Sequence, residues 1–243
     1  MANAQVVCVS SREPRESYYR LDCFLASLKR YAEQPTILGT ESRWDGLMTK
    51  PFLYRDWLRA GNNTSDRLIL CDAWDILFVK HPHWVGDQCE ALFGDAIVFN
   101  GERNIWPRGD LRDDFPDTGP WRFLNSGFMC GPADKILALL ESMDLESIGV
   151  DRREPDGRMI EPNDQGEVQA VFSKQMVPMV VDTNCQIAMT LSACEPTDFE
   201  FGGADIGRFV RNCITGTEPG VVHANGDGMN KHFQRFLDQW ELP

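Results

Sequence analysis

Hydrophobic and polar positions along this 243-residue chain alternate between two periods. Residues 5–10 (QVVCVS) form a short run rich in β-branched side chains, which predicts a strand. Across residues 18–32 (YYRLDCFLASLKRYA), Leu21, Phe24, Leu25, Leu28 and Tyr31 recur at helical spacing, so a helix is expected there. Residues 35–38 (PTIL), closed by Gly39, read as a second strand. Residues 49–60 read as a helix, with Pro51 tolerated in its first turn and Gly61 just past its end. Residues 67–71 (RLILC) form a strand that runs straight into Asp72. This β-α-β-α-β order predicts an α/β fold whose Rossmann-like, mainly parallel sheet is flanked by helices.

The second half is more mixed. Strands are predicted at 95–100, 124–129, 179–182 and 221–223, and helices at 135–142, 164–172 and around 233–240. Residues 104–119 and 151–162 are rich in charge, proline and glycine, as mobile surface loops are. No repeat, low-complexity tract or long linker interrupts the chain, so a single domain over residues 1–243 is expected.

Composition narrows the function classes. Apolar residues make up 42% and aromatics 10%, enough to bury a sizeable core. Asp and Glu number 37 against 24 Lys and Arg, a net charge of -13, so nucleic-acid binding through phosphates is not favoured. No apolar run approaches the roughly 20 residues a membrane span needs. The first ten residues (MANAQVVCVS) lack a basic n-region and a long apolar stretch, so no signal peptide is expected. The eight cysteines form no CxxC pair and several sit in apolar segments (VVCV, LILCD, FMCG), as reduced thiols of a cytoplasmic protein would.

The sharpest chemical feature is RLILCDAWDILF, residues 67–78, where an apolar strand ends in Asp72 and Asp75. Ligands of open α/β sheets bind beyond the carboxyl ends of the strands. Two carboxylates there suit a divalent cation that neutralises a diphosphate, or a turn whose aspartates bond local amides. Of four histidines, His223 ends the apolar pair in GVVHANGDG, before a Gly/Asn turn that with Lys231 suits a phosphate. A structural histidine is the other reading. His81 and His83 flank Pro82 in a predicted surface loop and receive no role. Asn125-Ser126-Gly127 reads as a hydroxyl-recognising turn or an ordinary tight one. Asp164, at a helix start, is either an N-cap or a carboxylate facing substrate. Trp44, Trp74 and Trp106 stack on a sugar or base, or fill the core.

Taken in order, VSSRE, RWDG with Lys50, DAWD, GERNIWP, RFLNSG, NDQ and VVHANG with Lys231 resemble one family. It is the glycosyltransferase domain of the multifunctional procollagen lysyl hydroxylases and their viral relatives, matched over roughly residues 6–233. The resemblance implies a GT-A fold, a UDP-sugar donor, Mn²⁺, and transfer of glucose or galactose to hydroxylysine or galactosyl-hydroxylysine of a collagen-like protein. It implies a nucleotide- and metal-binding half over about residues 1–100 and a sugar and acceptor half over about 101–243. By the same resemblance Asp72, Asp75 and His223 hold the metal, Trp44 and Lys50 line the donor site, and Val9 and Ser11 meet the uridine. Asn225, Gly226 and Lys231 contact the diphosphate, and Glu102, Trp106, Asn125, Asp164 and Gln165 surround the sugar and acceptor. Glu102, Asn125 and Asp164 are thereby the candidate catalytic residues, Asp164 as base if the reaction inverts or as an orienting group if it retains.

The chain also departs from the family. Trp74 stands where the family has a tyrosine, and no second glycine follows RFLNSG. The acidic run before Gln165 is reduced to Asn163-Asp164, and the spacing from Asn225 to Lys231 is longer. Nothing resembles the iron-binding hydroxylase domain, so hydroxylation is not implied. Other acceptors (a hydroxylated nucleobase, a glycan, a small molecule) and a non-catalytic sugar-nucleotide-binding module are the alternatives. A sugar-1-phosphate nucleotidyltransferase is disfavoured by the missing glycine-rich N-terminal loop. Asp110, Asp113, Asp114 and Asp117 suit a basic acceptor or a plain solvated face.

Overall fold

A computed structural model describes residues 4–11, 21–143, 145, 152–153, 159–160, 162–203 and 207–242. In chain order the elements are β1 (Ala4–Val9), α1 (Leu21–Lys29), β2 (Thr36–Leu38), α2 (Thr49–Arg59), β3 (Arg67–Asp72), β4 (Ile76–Phe78), α3 (Pro82–Phe93) and β5 (Ile97–Glu102). A 3₁₀ turn at Gly109–Asp114 precedes β6 (Phe123–Pro132), α4 (Ala133–Ser142) and the two-residue strands β7 (Arg152–Arg153) and β8 (Met159–Ile160). Then come α5 (Asp164–Ser173), β9 (Met179–Asp182), β10 (Ala188–Thr190), β11 (Phe199–Gly202), β12 (Phe209–Asn212) and β13 (Val221–His223). A π-helical turn at Met229–Phe233 leads into α6 (Gln234–Trp240).

Nine strands form one sheet in the order β2-β1-β3-β6-β5-β10-β13-β4, with β9 also paired to β5. Pairing is parallel between β1 and both β2 and β3, between β5 and both β9 and β10, and between β10 and β13. It is antiparallel between β6 and both β3 and β5, and between β4 and β13. The fold is therefore a mixed, mainly parallel α/β sheet flanked by helices, as the alternation predicts.

The apolar runs of β1 and β3 are continuous because both faces of the sheet are covered. Leu68 and Leu70 point into one core layer, against Tyr54 and Leu58 of α2, Ile136 and Leu139 of α4 and Val168 of α5. Ile69 and Cys71 point into the other, against Phe24 and Leu28 of α1 and Val85 and Cys89 of α3. Each fully buried Leu or Ile contributes about 1.5–3 kcal/mol, so the strand's period-2 alternation locks its register. A third cluster seats α6 on the β11–β12 hairpin through Phe236, Trp240 and Phe199.

One sequence expectation changes. His81 and His83 lie not in a loop but at the start of α3: His81 is its N-cap and accepts from the His83 backbone N–H at 3.1 Å. Pro82 starts the helix because its missing N–H is one that a first turn leaves unpaired anyway. The segment 104–119 lies largely at the surface, as expected, with anchors of its own. Phe115 is buried and stacks on Phe172 at 5.0 Å, and three of its carboxylates are engaged. Asp110 pairs with Arg108, Asp114 accepts from Ser173, and Asp117 pairs with Arg122. Residues 18–20 of the first predicted helix, and most of segment 151–162, lie outside the described residues. All eight cysteines are free and seven are buried. Among the described residues no helix is long and apolar enough to cross a membrane.

Candidate active site

The site begins where β3 ends. Asp72 closes that strand in register with Val9, and after a bend the chain returns as β4. Because β4 pairs with β13, Ile76 stands opposite His223, and the backbone N–H of Ala224 donates to the Asp75 carbonyl at 2.8 Å. This places His223 Nε2 at 3.2 Å from Asp75 Oδ2 and 3.7 Å from Asp72 Oδ2. One atom from each of the three residues lies within 4.8 Å of the other two. Burial works against a charged ring, but Asp75, Asp72 and Glu102 more than offset it and hold the His223 pKa above its ordinary value. Burial also opposes a charged Asp75, yet His223 and Lys50 hold that carboxyl below its usual range.

The donor set fits a divalent cation: two carboxylates and one imidazole nitrogen suit Mg²⁺ or Mn²⁺ better than a soft thiol-seeking ion. The space is kept open by Gly127, where an added Cβ would stand 2.1 Å from His223 Cε1 and 2.7 Å from Asp72 Oδ2. Glu33, His81 and His83 form a second such group among the described residues, but His81 Nδ1 is committed to capping α3.

Lys50, in the first turn of α2, bridges the site. Its Nζ is 2.7 Å from Asp72 Oδ1 and 2.8 Å from Asp164 Oδ2, with both Lys50 and Asp164 nearly buried. Burial disfavours the ammonium, but Asp164 and Asp72 outweigh it and hold the Lys50 pKa above its ordinary value. Asp164 Oδ2 also accepts from Ser126 Oγ at 2.9 Å. It is the first residue of α5 rather than its cap: Asn163 caps, accepting from the Gly166 N–H at 2.8 Å.

Glu102, at the end of β5, joins three elements. Its Oε2 accepts from Asn125 Nδ2 at 2.9 Å and Gln165 Nε2 at 3.3 Å, and its Oε1 accepts from Asn225 Nδ2 at 2.9 Å. Even so, burial outweighs these bonds and raises its pKa. Gln165 and Gln169 both donate to the Trp106 carbonyl, while Trp106 as a whole is 53% exposed. Trp74 Nε1 donates to Ser10 Oγ at 3.2 Å.

These groups face one cavity of about 680 Å³. It brings together Asp72, Asp75 and His223 with Glu102, Asn125 and Asp164. Val9, Trp44, Lys50, Trp74, Asn225 and Gly226 line it too, as do Trp106 and Gln165. Ser11 and Lys231 do not line it, and Lys231 is half-exposed and pairs with Asp227 at 2.7 Å. Reading the sequence missed Asn100, which is fully buried against His223, and Ser192, whose N–H donates to Asn225 Oδ1 at 3.2 Å. An amide closing the apolar run DAIVFN was the available signal for Asn100. Nothing in LSAC singles out Ser192.

Comparison with known proteins gives the fold and the family. Among solved structures, the galactosyltransferase LgtC in complex with donor and acceptor sugar analogues superposes with a TM-score of 0.52 at 13% identity, covering 97% of this chain and 94% of that one. A glycosyltransferase involved in glycosylation of the major capsid of PBCV-1 gives 0.49 at 11% identity, covering 95% and 98%. The fold is that of the GT-A glycosyltransferases. In sequence, the model of the PLOD GT domain family matches residues 1–152, more than half of the chain. The chain belongs to the PLOD GT domain family and is a glycosyltransferase. The procollagen-lysine,2-oxoglutarate 5-dioxygenase of Drosophila melanogaster is 30% identical over 138 residues, which are 53% of this chain and 19% of that protein. The chain thus aligns to about a fifth of that relative's length.

Proposed function

We propose that this chain is a single-domain, Mn²⁺-dependent transferase that moves glucose or galactose from a UDP-sugar to a hydroxyl acceptor. The observation that carries the reading is the convergence of Asp72, Asp75 and His223 in the wall of the 680 Å³ cavity. Those three residues would hold the cation, which when bound supplies Lewis-acid neutralisation of the charge on a leaving diphosphate.

The chain's own groups supply the rest. Val9, Trp44 and Trp74 offer apolar and aromatic wall for a flat base, Trp74 being oriented by its bond to Ser10. Lys50 adds fixed positive charge beside Asp72, and Lys231, paired with Asp227 at the surface, and Ser11 keep their proposed places at the diphosphate and the uridine, although neither lines the cavity. Asp164 Oδ2 already accepts from both Lys50 and Ser126. We therefore assign it to holding Lys50 and orienting sugar hydroxyls, the part it would play in a retaining reaction. The Glu102 carboxylate, shared among three amides, and the Asn125 amide, used at both ends by Glu102 and the Gly127 N–H, likewise position rather than transfer protons. Trp106, exposed beside them, suits stacking against a sugar ring.

The acceptor we propose is a hydroxylysine side chain or its galactosyl derivative in a collagen-like peptide, in keeping with the name of the Drosophila relative. Seven buried free thiols support a reducing, cytoplasmic setting. UDP release from a panel of UDP-sugars, with and without Mn²⁺ and before any acceptor is added, tests the reading. Mn²⁺-dependent release from UDP-glucose or UDP-galactose is expected, followed by faster release with hydroxylysine peptides. Silence across the panel together with no UDP binding by calorimetry would overturn it.

A further inference from the structure

We infer that Asn100 is a positioning residue for the cation centre, holding His223 in the tautomer whose Nε2 lone pair faces Asp72 and Asp75; this rests on the cation site proposed above. Asn100 is the fourth residue of β5 and has no solvent exposure. Its amide is 3.1 Å from His223 Nδ1. With the amide nitrogen donating to the carbonyls of Asn125 at 2.8 Å and Phe128 at 3.3 Å, the amide oxygen accepts from Nδ1–H. That orientation is the one in which every partner is satisfied.

The requirement for such a group follows from the charges. A neutral imidazole offers a lone pair from only one nitrogen. Two carboxylates stand at 3.2 and 3.7 Å from Nε2, and left alone they would draw the ring proton to that nitrogen, where it blocks coordination. An acceptor fixed at Nδ1 counters this, as the outer partners of metal-bound histidines do. No water can stand in, because the amide is fully buried.

The other end of Asn100 acts on the same centre. Pairing of β5 with β6 breaks between Phe99 and Asn100: Phe99 faces Met129, but Asn100 faces Asn125. Residues 126–128 are thereby left out of the pairing with β5, and the two carbonyls that Asn100 binds are those of Asn125, just before them, and of Phe128, the last of them. Within that bulge lies Gly127, packed on His223 Cε1. One amide thus sets the proton of the imidazole and the shape of the wall it rests on. A carboxylate keeps the first function and loses the second, and an alkyl side chain loses both.

Calorimetric titration of Mn²⁺ into the parent, Asn100→Asp and Asn100→Leu proteins separates these roles, with thermal unfolding of each metal-free protein measured alongside. Both variants are expected to unfold at lower temperature. Asn100→Leu should bind Mn²⁺ about ten- to a hundredfold more weakly. Asn100→Asp, still accepting from Nδ1–H, should stay within about threefold of the parent. Parent-like binding by Asn100→Leu, or equal losses in both variants, would overturn the inference, the latter by showing that Asn100 only shapes the bulge. Should Asn100→Leu fail to fold, Asn100→Ala replaces it with the same expectation. Absence of Mn²⁺ binding by the parent would instead overturn the cation site itself.

Discussion

Gly127 lies against His223 so closely that a single added methyl at 127 would stand 2.1 Å from the ring's Cε1 and 2.7 Å from Asp72 Oδ2. The glycine is there because the two residues share one volume: the imidazole can face Asp75 only while position 127 carries no side chain.

Gly127→Ala should therefore push the ring away from Asp75. Overpacking of this kind costs about 1–3 kcal/mol, so the variant is expected to fold with reduced stability. Its Mn²⁺ affinity should fall at least about tenfold, read by calorimetry. An isotherm matching the parent's would show that His223 is no part of the cation site.

Lys50 is the one cation bonded to both Asp72 and Asp164 among the described residues. Lys50→Met keeps much of the stem and removes the charge, leaving buried Asp164 with its Ser126 bond but without the ammonium that joins it to Asp72. Loss of one partner from a buried pair costs about 3–5 kcal/mol, and urea denaturation without metal should register a drop of that order. A midpoint equal to the parent's would mean that water or a rearranged side chain already satisfies both carboxylates.

Trp106 presents an exposed ring while its backbone carbonyl is held by Gln165 and Gln169. Trp106→Ala leaves those bonds in place, so stability should change by less than about 0.5 kcal/mol. If the ring stacks on a sugar, the KM for donor or acceptor should rise about five- to tenfold, equivalent to roughly 1 kcal/mol. Unchanged steady-state constants for both substrates would remove Trp106 from the site.

Asp227 ties the turn after β13 to Ser192 and Ala193. The Lys231 ammonium, and after it the Ala193 N–H, hold its pKa down at about 2. A carboxyl depressed in the folded state stabilises above its unfolded value near 3.8 and loses that contribution as pH falls through about 2. The group is largely exposed, so the effect is small and weakens with salt. The stability gap between parent and Asp227→Asn, followed by urea denaturation, should be steady above about pH 5 and close as pH falls from about 4 to 2. A gap independent of pH would show that the carboxylate's charge contributes nothing to the turn.

Local pattern made much of the fold legible. The apolar run 67–71 ending in Asp72 declared both a buried strand and a carboxylate at its carboxyl end, and β3 spans Arg67–Asp72. The helix read over residues 49–60 from Pro51 and Gly61 is α2, with Gly61 just beyond in a left-handed turn at φ +67°. Where a local signal was ambiguous, the reading erred or stayed open. His-Pro-His reads as a loop because histidine is not among the usual capping residues, yet His81 caps α3 through its ring nitrogen. Asn163 and Asp164 are both good caps by type, and only the bond from the Gly166 N–H assigns the role to Asn163.

By itself the sequence determined which chemical groups stand at the ends of which strands, because strand and helix periods are set by neighbours a few residues apart. It also carried the order of motifs that places the chain in its family. Only the tertiary structure decided whom those groups meet. Asp75 and His223 come together through the pairing of β4 with β13, Lys50 reaches Asp72 and Asp164 across α2, β3 and α5, and Asn100 meets His223 across β10, while a break in the β5–β6 register brings Asn125 opposite Asn100. Those distances depend on strand order and on one displaced register, which are properties of the whole sheet rather than of any stretch within it.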